Sequence, residues 1–413
     1  MTSPVAASRA GPAVSVLIPC WNAAATVGRA LESVLGGSDV DLECIVVDDG
    51  STDETVAIVR AIAERDPRVV LLPLDANVGV SAARNRGLEL VRGDWLTLVD
   101  ADDRLRPGGL AALQAAAIEH HALAVVGQQV WSTGRRTWLG RAYDVPDIRL
   151  PGRKSLARNP GLLYYVSPHG KLVHRSCFGG LEFHGRVLGD QPWTIRALLR
   201  AGDRIEVIAD TVYEWNRPPR GGASTITTRT RSSADLGVEV VEMAGIALMD
   251  VRGEIDRVLA DPADRVAVAA RYVERLLRSD LGGLVLRALV RRDAGTAALL
   301  AAIERFIGAV PAQLLSASDA LSADILLPPL RFWWRLPLDA RIAYWSLFAA
   351  ARRLAPDSVR NAPGWMGAVG LRSASPTMGA VRHAVLSAIL TIGWGAELAG
   401  ALARARLRRA PRR

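Results

Sequence analysis

The chain has 413 residues, 50% of them hydrophobic and 23% charged, the proportions of a folded protein of two or three domains. Collagen-like, disulfide-scaffold and wholly disordered chains are excluded, and three cysteines without a CxxC pair (Cys20, Cys44 and Cys177) suit a reducing compartment. The net charge of +9 is uneven, with 26 Lys and Arg against 25 Asp and Glu up to residue 230 and 25 against 17 beyond it, so any docking to a polyanion belongs to the second half.

Residues 1–11 read as a disordered tail, without the basic start and apolar run of a secretory leader. From Val14 strand and helix signals alternate. Val14–Ile18 is a β-branched run ended by Pro19, Ala24–Leu35 carries Val27, Leu31 and Val34 on one helical face, and Glu43–Val47 is an apolar strand that stops at Asp48-Asp49-Gly50. Thr52 or Asp53 caps a helix to about Glu64, Arg68–Leu72 is a third strand, and Ser81–Val91 a third helix. Trp95–Val99 is a fourth strand, running into Asp100-Ala101-Asp102-Asp103. Strands separated by single helices predict βαβ units and a mainly parallel sheet, in which ligands bind beyond the carboxyl ends of the strands. Pro19–Asn22, Asp48–Asp53 and Asp100–Asp103 all follow strand ends, so one edge of the sheet is expected to carry a site. Further on, Ala111–His121 and Gln191–Ala201 read as helices, Ala122–Val130 and Arg204–Ala209 as strands, and Arg135–Ser167 as loop. Beyond about Arg231 helical periodicity dominates. A boundary near residue 230 is therefore expected between an α/β domain, 12–230, and a helical accessory domain, 231–413.

A carboxylate at a strand end, as in Asp48–Asp53, can accept from a base edge or a ribose, and Gly50 allows the tight turn; the same residues also read as a capped helix start. The spacing and closing Glu of a calcium-binding EF-hand are missing. Asp100, Asp102 and Asp103 put three carboxylates into four residues, which repel one another unless a cation is shared. Such hard oxygen ligands suit Mg²⁺ or Mn²⁺ together with a substrate phosphate, and a solvated turn before Pro107 is the plain alternative. Arg84 and Arg86 open a helix, where they would face phosphates or simply lie on the surface. His169, in Ser167-Pro168-His169-Gly170-Lys171, reads either as a contact to acceptor or phosphate or as a satisfied turn histidine. No Walker A, GxGxxG, HExxH or GxSxG pattern occurs, which speaks against an NTPase, a dehydrogenase, a zincin and an α/β-hydrolase. No basic cluster with interleaved aromatics lies in the first half, so no nucleic-acid partner is expected.

In this order, the segments resemble the family 2 glycosyltransferases, inverting enzymes with a Rossmann-like GT-A fold. Val14–Asn22 is similar to the family's first strand, with Trp21 where a Tyr is more common; Asp48–Asp53 matches the nucleotide-binding turn, and Asn77–Leu88 the helix start that follows. Gly93–Asp103 resembles the strand carrying the DxD metal motif, and Gly189-Asp190-Gln191-Pro192-Trp193 the Glu-Asp-x-x-Trp base motif, with Gly189 in place of the Glu. Tyr213–Arg217 with Ser224-Thr225 looks like the family's flexible lid, Asn216 standing where an Arg is common, so Arg217 is taken as its substitute. The resemblance spans roughly residues 12–230. It implies transfer of a sugar from a nucleoside-diphosphate donor, a UDP-sugar favoured, to a glycan or lipid-linked acceptor hydroxyl in cell-envelope or polysaccharide synthesis. Pro19, Trp21, Asp49, Arg84, Asp100 and Arg217 would then be on the donor side, with Trp21 and Asp49 at the base and Asp100 at the ribose. Asp102 and Asp103 would bind the divalent metal, Mn²⁺ or Mg²⁺, Asp190 would be the general base, and His169 and Trp193 would face the acceptor. Two other readings stay open. Gly189 alone favours an inactive sugar-nucleotide sensor or scaffold, and a nucleotidyltransferase would show a Gly-rich basic loop where this chain has Pro19-Cys20-Trp21-Asn22.

No run of 18 apolar residues occurs before residue 383, so a polytopic chain is not expected. Ala384–Ala403 carries one charge, Glu397, and is followed by six arginines. It reads as the last helix of a bundle with a solvated basic tail, as an interfacial segment on anionic lipid, or as a span, in that order of preference. The expected location is cytoplasmic, with peripheral contact to the inner face of the membrane through 384–413.

Overall fold

The computed structural model describes residues 12–36, 39–140, 144–216, 234–281, 284 and 295–317. The first half alternates as expected: β1 Val14–Cys20, α1 Val27–Leu35, β2 Leu42–Asp48, α2 Thr55–Ala63, β3 Val69–Pro73, α3 Val80–Leu90, β4 Trp95–Leu98. Then come β5 Arg104–Leu105, α4 Gly109–Glu119, β6 Ala124–Ser132, β7 Thr137–Leu139, α5 Pro146–Arg149, β8 Gly152–Lys154, β9 Lys171–His174, α6 Arg175–Phe178, α7 Asp190–Ala201 and β10 Ile205–Asn216.

The strands form one sheet in the order β3-β2-β1-β4-β9-β6-β10-β5, with β7 on β6 and β8 on β10. β3, β2, β1 and β4 run parallel, as does β6 with β10, while β9 runs antiparallel between β4 and β6. Every residue of β1 and β2 is buried, the pattern of central parallel strands covered on both faces. Glu43, one of two acids among them, accepts from Ser15 Oγ at 2.6 Å, from the Arg92 N–H at 2.7 Å and from Arg92 Nε at 2.7 Å. Burial pushes its carboxyl up, but these donors outweigh burial and hold it below the ordinary glutamate value.

The described residues fall into two compact units. One comprises those up to 216 together with Met243–Arg271; the other comprises 234–242 and those from Tyr272 onward. Both draw on two long helices, α8 Ala234–Val258 and α9 Pro262–Arg275, and the second unit adds α10 Gly295–Ala309 and α11 Ala312–Ala317. Thus Met243–Arg271 groups with the α/β residues although it lies past residue 230 in the chain. No helix among the described residues is long and apolar enough to cross a membrane, and Ala384–Ala403 lies outside the described residues.

Candidate active site

The site begins where β1 and β2 end. Trp21 follows β1 and is 47% exposed, and Asn22 takes a left-handed conformation with φ 48°. Its side-chain oxygen accepts from the Thr52 N–H at 2.9 Å, and its own N–H donates to Ser51 Oγ at 2.8 Å, so the two strand-end loops hold each other. Pro19 lies within β1 opposite Val47, buried, and can act on the site only through the shape of the strand end. Gly50 has φ 68°, and a Cβ there would stand 2.5 Å from the Ala76 carbonyl carbon, so the turn Asp48–Asp53 and the loop before α3 touch where only glycine fits.

Asp49 departs from the expected contact with a base. It is buried, and its two carboxylate oxygens accept from the Val78 N–H at 2.7 Å and the Gly79 N–H at 2.9 Å. The residue clamps the entry to α3. Arg84 departs likewise: expected to face phosphates, it is 6% exposed, donates to Asp100 Oδ1 at 3.0 Å and lies 5.4 Å over the Phe183 ring. On the other side of Asp100, His169 Nε2 stands 3.1 Å from the same Oδ1. Burial pushes the Asp100 carboxyl up, but His169 and Arg84 outweigh it and hold the group far below the ordinary aspartate range. His169 is therefore not an exposed acceptor contact. It is buried, bonded to Ser167 through Nδ1 and flanked by Tyr213 and Trp215, with ring centroids 5.2 and 5.0 Å away.

Asp100, Asp102 and Asp103 have ligand atoms within 4.8 Å of one another, a set that can hold a cation. Asp102 is the exposed member and Asp103 the buried one. Asp103 Oδ2 accepts from the Tyr213 hydroxyl at 2.9 Å and Oδ1 from the Asn216 N–H at 2.7 Å. Burial and the charges of Asp100 and Asp102 push its carboxyl up to about 9. Such crowding is what a divalent cation relieves, so the donor set fits one.

Asp190 opens α7, preceded by Gly189. A Cβ on Gly189 would overlap the His184 carbonyl oxygen and stand 2.7 Å from Ser81 Oγ in the first turn of α3. The missing Glu of the base motif thus has a local cause: there is no room for it. Asn85 of α3 holds the Phe183 backbone from both sides, donating to its carbonyl at 2.9 Å and accepting from its N–H at 2.8 Å. Phe183 in turn stacks on Trp193 at 4.8 Å between centroids. Trp193 is 1% exposed, so it packs α7 down and presents no ring to an acceptor. Lys171 is buried below this region, its ammonium donating to the Ser167 carbonyl and lying 3.6 Å from the Tyr165 ring centre. Burial drives its pKa well below that of an ordinary lysine, against the pull of Asp190. Arg217 lies outside the described residues. Asn85 and Phe183 have no role assigned from sequence, because their bond joins residues about a hundred positions apart, and Tyr213, expected at the start of a lid, is a fully buried residue of β10.

A mixed sheet with polar loops at the ends of β1, β2 and β4, an aspartate cluster and an acid at the start of α7 is the arrangement of a GT-A glycosyltransferase. Residues 15–180 match glycosyl transferase family 2. A PGL/p-HBAD biosynthesis glycosyltransferase of Mycobacterium bovis is 35% identical over 189 residues, 45% of this chain and 70% of that protein. The chain belongs to glycosyl transferase family 2. It is also 34% identical to the succinoglycan biosynthesis protein ExoO of Rhizobium meliloti over 206 residues, 49% of this chain and 56% of that protein, so the matched part spans little more than half that relative's length. S. aureus TarS 1-349, solved in complex with UDP-GlcNAc, shares the fold with a TM-score of 0.62 and 21% identity over 82% of this chain and 90% of that one.

Proposed function

We propose that the chain moves a sugar from a nucleoside-diphosphate donor, a UDP-sugar, to an acceptor hydroxyl with inversion at the anomeric carbon, in envelope or extracellular glycan synthesis. The observation that supports this best is an arrangement at one helix end: Asp49 holds Gly79 at the start of α3, Ser81 of α3 takes up space that a Cβ on Gly189 would need, and Gly189 precedes Asp190. In this reading the nucleotide turn and the base lie at one helix end. The UDP-GlcNAc bound by TarS and the succinoglycan role of ExoO favour this donor class and this product class.

In this reading Trp21 packs on the base, and Asp49 shapes its pocket through Val78 and Gly79. Arg84 and His169 fix Asp100 through Oδ1, which leaves Oδ2 to accept from a ribose hydroxyl. Asp102 would hold a divalent cation, Mn²⁺ or Mg²⁺, whose charge would offset the negative charge of the departing diphosphate. Arg217 supplies a further positive charge there. Asp190 takes the proton of the acceptor hydroxyl as its oxygen bonds to the anomeric carbon and the carbon–oxygen bond to the diphosphate breaks. One side-chain base suffices, unlike the carboxyl pair of a glycosidase.

A screen of nucleoside-diphosphate sugars on the purified chain, read as nucleoside-diphosphate release with Mn²⁺ or Mg²⁺, tests the reading. Release from a UDP-sugar is expected; release from no donor in either metal would overturn it. The same reading places the enzyme at the cytoplasmic face of a membrane through residues 384–413. Salt-sensitive sedimentation with anionic vesicles, lost on deleting 384–413, is expected, and equal behaviour of both chains would refute that placement.

A further inference from the structure

We infer that Asp103 is a positioning residue that anchors the end of β10 to the aspartate turn, and is not a ligand of the cation. The inference deepens the proposed function and depends on it only for the role given to Asp102. Asp103 is 3% exposed, and each of its carboxylate oxygens already accepts a hydrogen bond: Oδ2 from the Tyr213 hydroxyl at 2.9 Å, Oδ1 from the Asn216 N–H at 2.7 Å. The Tyr213 oxygen accepts in turn from the Asp100 N–H at 3.1 Å, and the Asp103 N–H donates to the Asp100 carbonyl at 3.0 Å. Both ends of the turn Asp100–Asp103 are thus tied to one fully buried tyrosine of β10. The strand is held again just beside it, where Leu105 pairs with Tyr213 and Arg104 and Arg106 both meet Glu214.

A cation would compete with these donors for the Asp103 oxygens, and a turn of the side chain toward it would break both bonds. That would leave a buried hydroxyl and a backbone N–H without their acceptor, a desolvation penalty that opposes the turn. Asp102, between them in sequence and exposed, meets no such obstacle. Three crowded carboxylates therefore divide their work: Asp100 is fixed by Arg84 and His169, Asp103 holds the turn against β10, and Asp102 is presented outward.

The test compares the full chain with Asp102→Asn, Asp103→Asn and Asp103→Ala, measuring free Mn²⁺ by electron paramagnetic resonance in the presence of UDP and amide exchange across 212–216 by mass spectrometry. Asn at 103 keeps an oxygen for the Asn216 N–H, whereas Ala keeps nothing. Asp102→Asn is expected to weaken Mn²⁺ binding about tenfold or more, Asp103→Ala about tenfold with faster exchange at 212–216, and Asp103→Asn to restore both to within about threefold of wild type. Mn²⁺ binding weakened by Asp103→Asn as much as by Asp102→Asn, with exchange unchanged, would make Asp103 a ligand and overturn the inference. Should the Ala variant fail to fold, the Asn variant alone decides. If wild type binds no Mn²⁺ with UDP, the cation reading fails by itself, and exchange at 212–216 unaltered in Asp103→Ala would then overturn the anchor.

Discussion

Single side chains in this site mostly hold other side chains. Asp49 was legible as a strand-end acid, but its two bonds to Val78 and Gly79 depend on a loop 29 and 30 residues away, a relation that no local pattern carries. Arg84 reads from sequence as phosphate-facing or on the surface and His169 as an acceptor or phosphate contact or a satisfied turn histidine; both are buried against Asp100, and His169 has the Ser167 bond of a satisfied turn residue. Exposure, by contrast, separates Asp102 from its neighbours and marks it for solvent-borne chemistry. Asp102→Ala is expected to lower UDP affinity in Mn²⁺ about tenfold and to leave UDP affinity in EDTA unchanged, measured by tryptophan fluorescence titration. Equal UDP affinity with and without metal in wild type would remove the cation from the account.

The elements were legible wherever burial made the pattern repeat. β1, β2 and β4 appear in sequence as apolar runs because both faces are covered, and α1 because one face alone is. β9 was not: Lys171-Leu172-Val173-His174 is four residues long with a charged and a polar end, and it is a strand only because β4 and β6 offer it edges. β10 was expected to stop near Ala209, where Ala209 and Asp210 are exposed; register shifts against β6 between Val207 and Tyr213 carry the strand past them to Asn216. The start of α7 is set by space. Gly189→Ala would press a methyl group into the His184 carbonyl, and destabilisation of about 1–3 kcal/mol is expected, with a larger loss of activity than a remote change of equal stability cost. Denaturant midpoints and turnover check it. An alanine variant as stable and active as wild type would mean that the turn relaxes freely and that Gly189 says nothing about Asp190.

Across the whole molecule, the described part of the second half was legible as helix but its allegiance was not, because residues 243–271 have the same Ala/Leu/Arg texture as those that follow. Their grouping is set by tertiary contacts: buried Glu254 meets Arg200 Nε at 3.0 Å, Arg196 Nε at 3.3 Å and Arg257, and so ties α8 to α7. Burial pushes this carboxyl up, but Arg200, Arg257 and Arg196 outweigh it and lower it below the ordinary glutamate value. A lowered folded-state pKa means that the unfolded chain takes up the proton first. The stability from this cluster is therefore present above the unfolded value of about 4.3 and lost as pH falls through the lower folded value. Wild type should lead Glu254→Gln in denaturant midpoint at pH 6, and the gap should narrow between pH 5 and about pH 3. Parallel curves would contradict it.

The central claim is that this family 2 chain transfers sugar with Asp190 as its base. Asp190→Asn keeps the size of the side chain and removes its ability to take the acceptor proton. Once an active donor is found, UDP release from that donor and UDP affinity, measured side by side on wild type and Asp190→Asn, address the claim most directly. Turnover of Asp190→Asn is expected to fall by roughly 10²–10⁴-fold with UDP affinity unchanged. Turnover near that of wild type in Asp190→Asn, with UDP bound equally well, would contradict it.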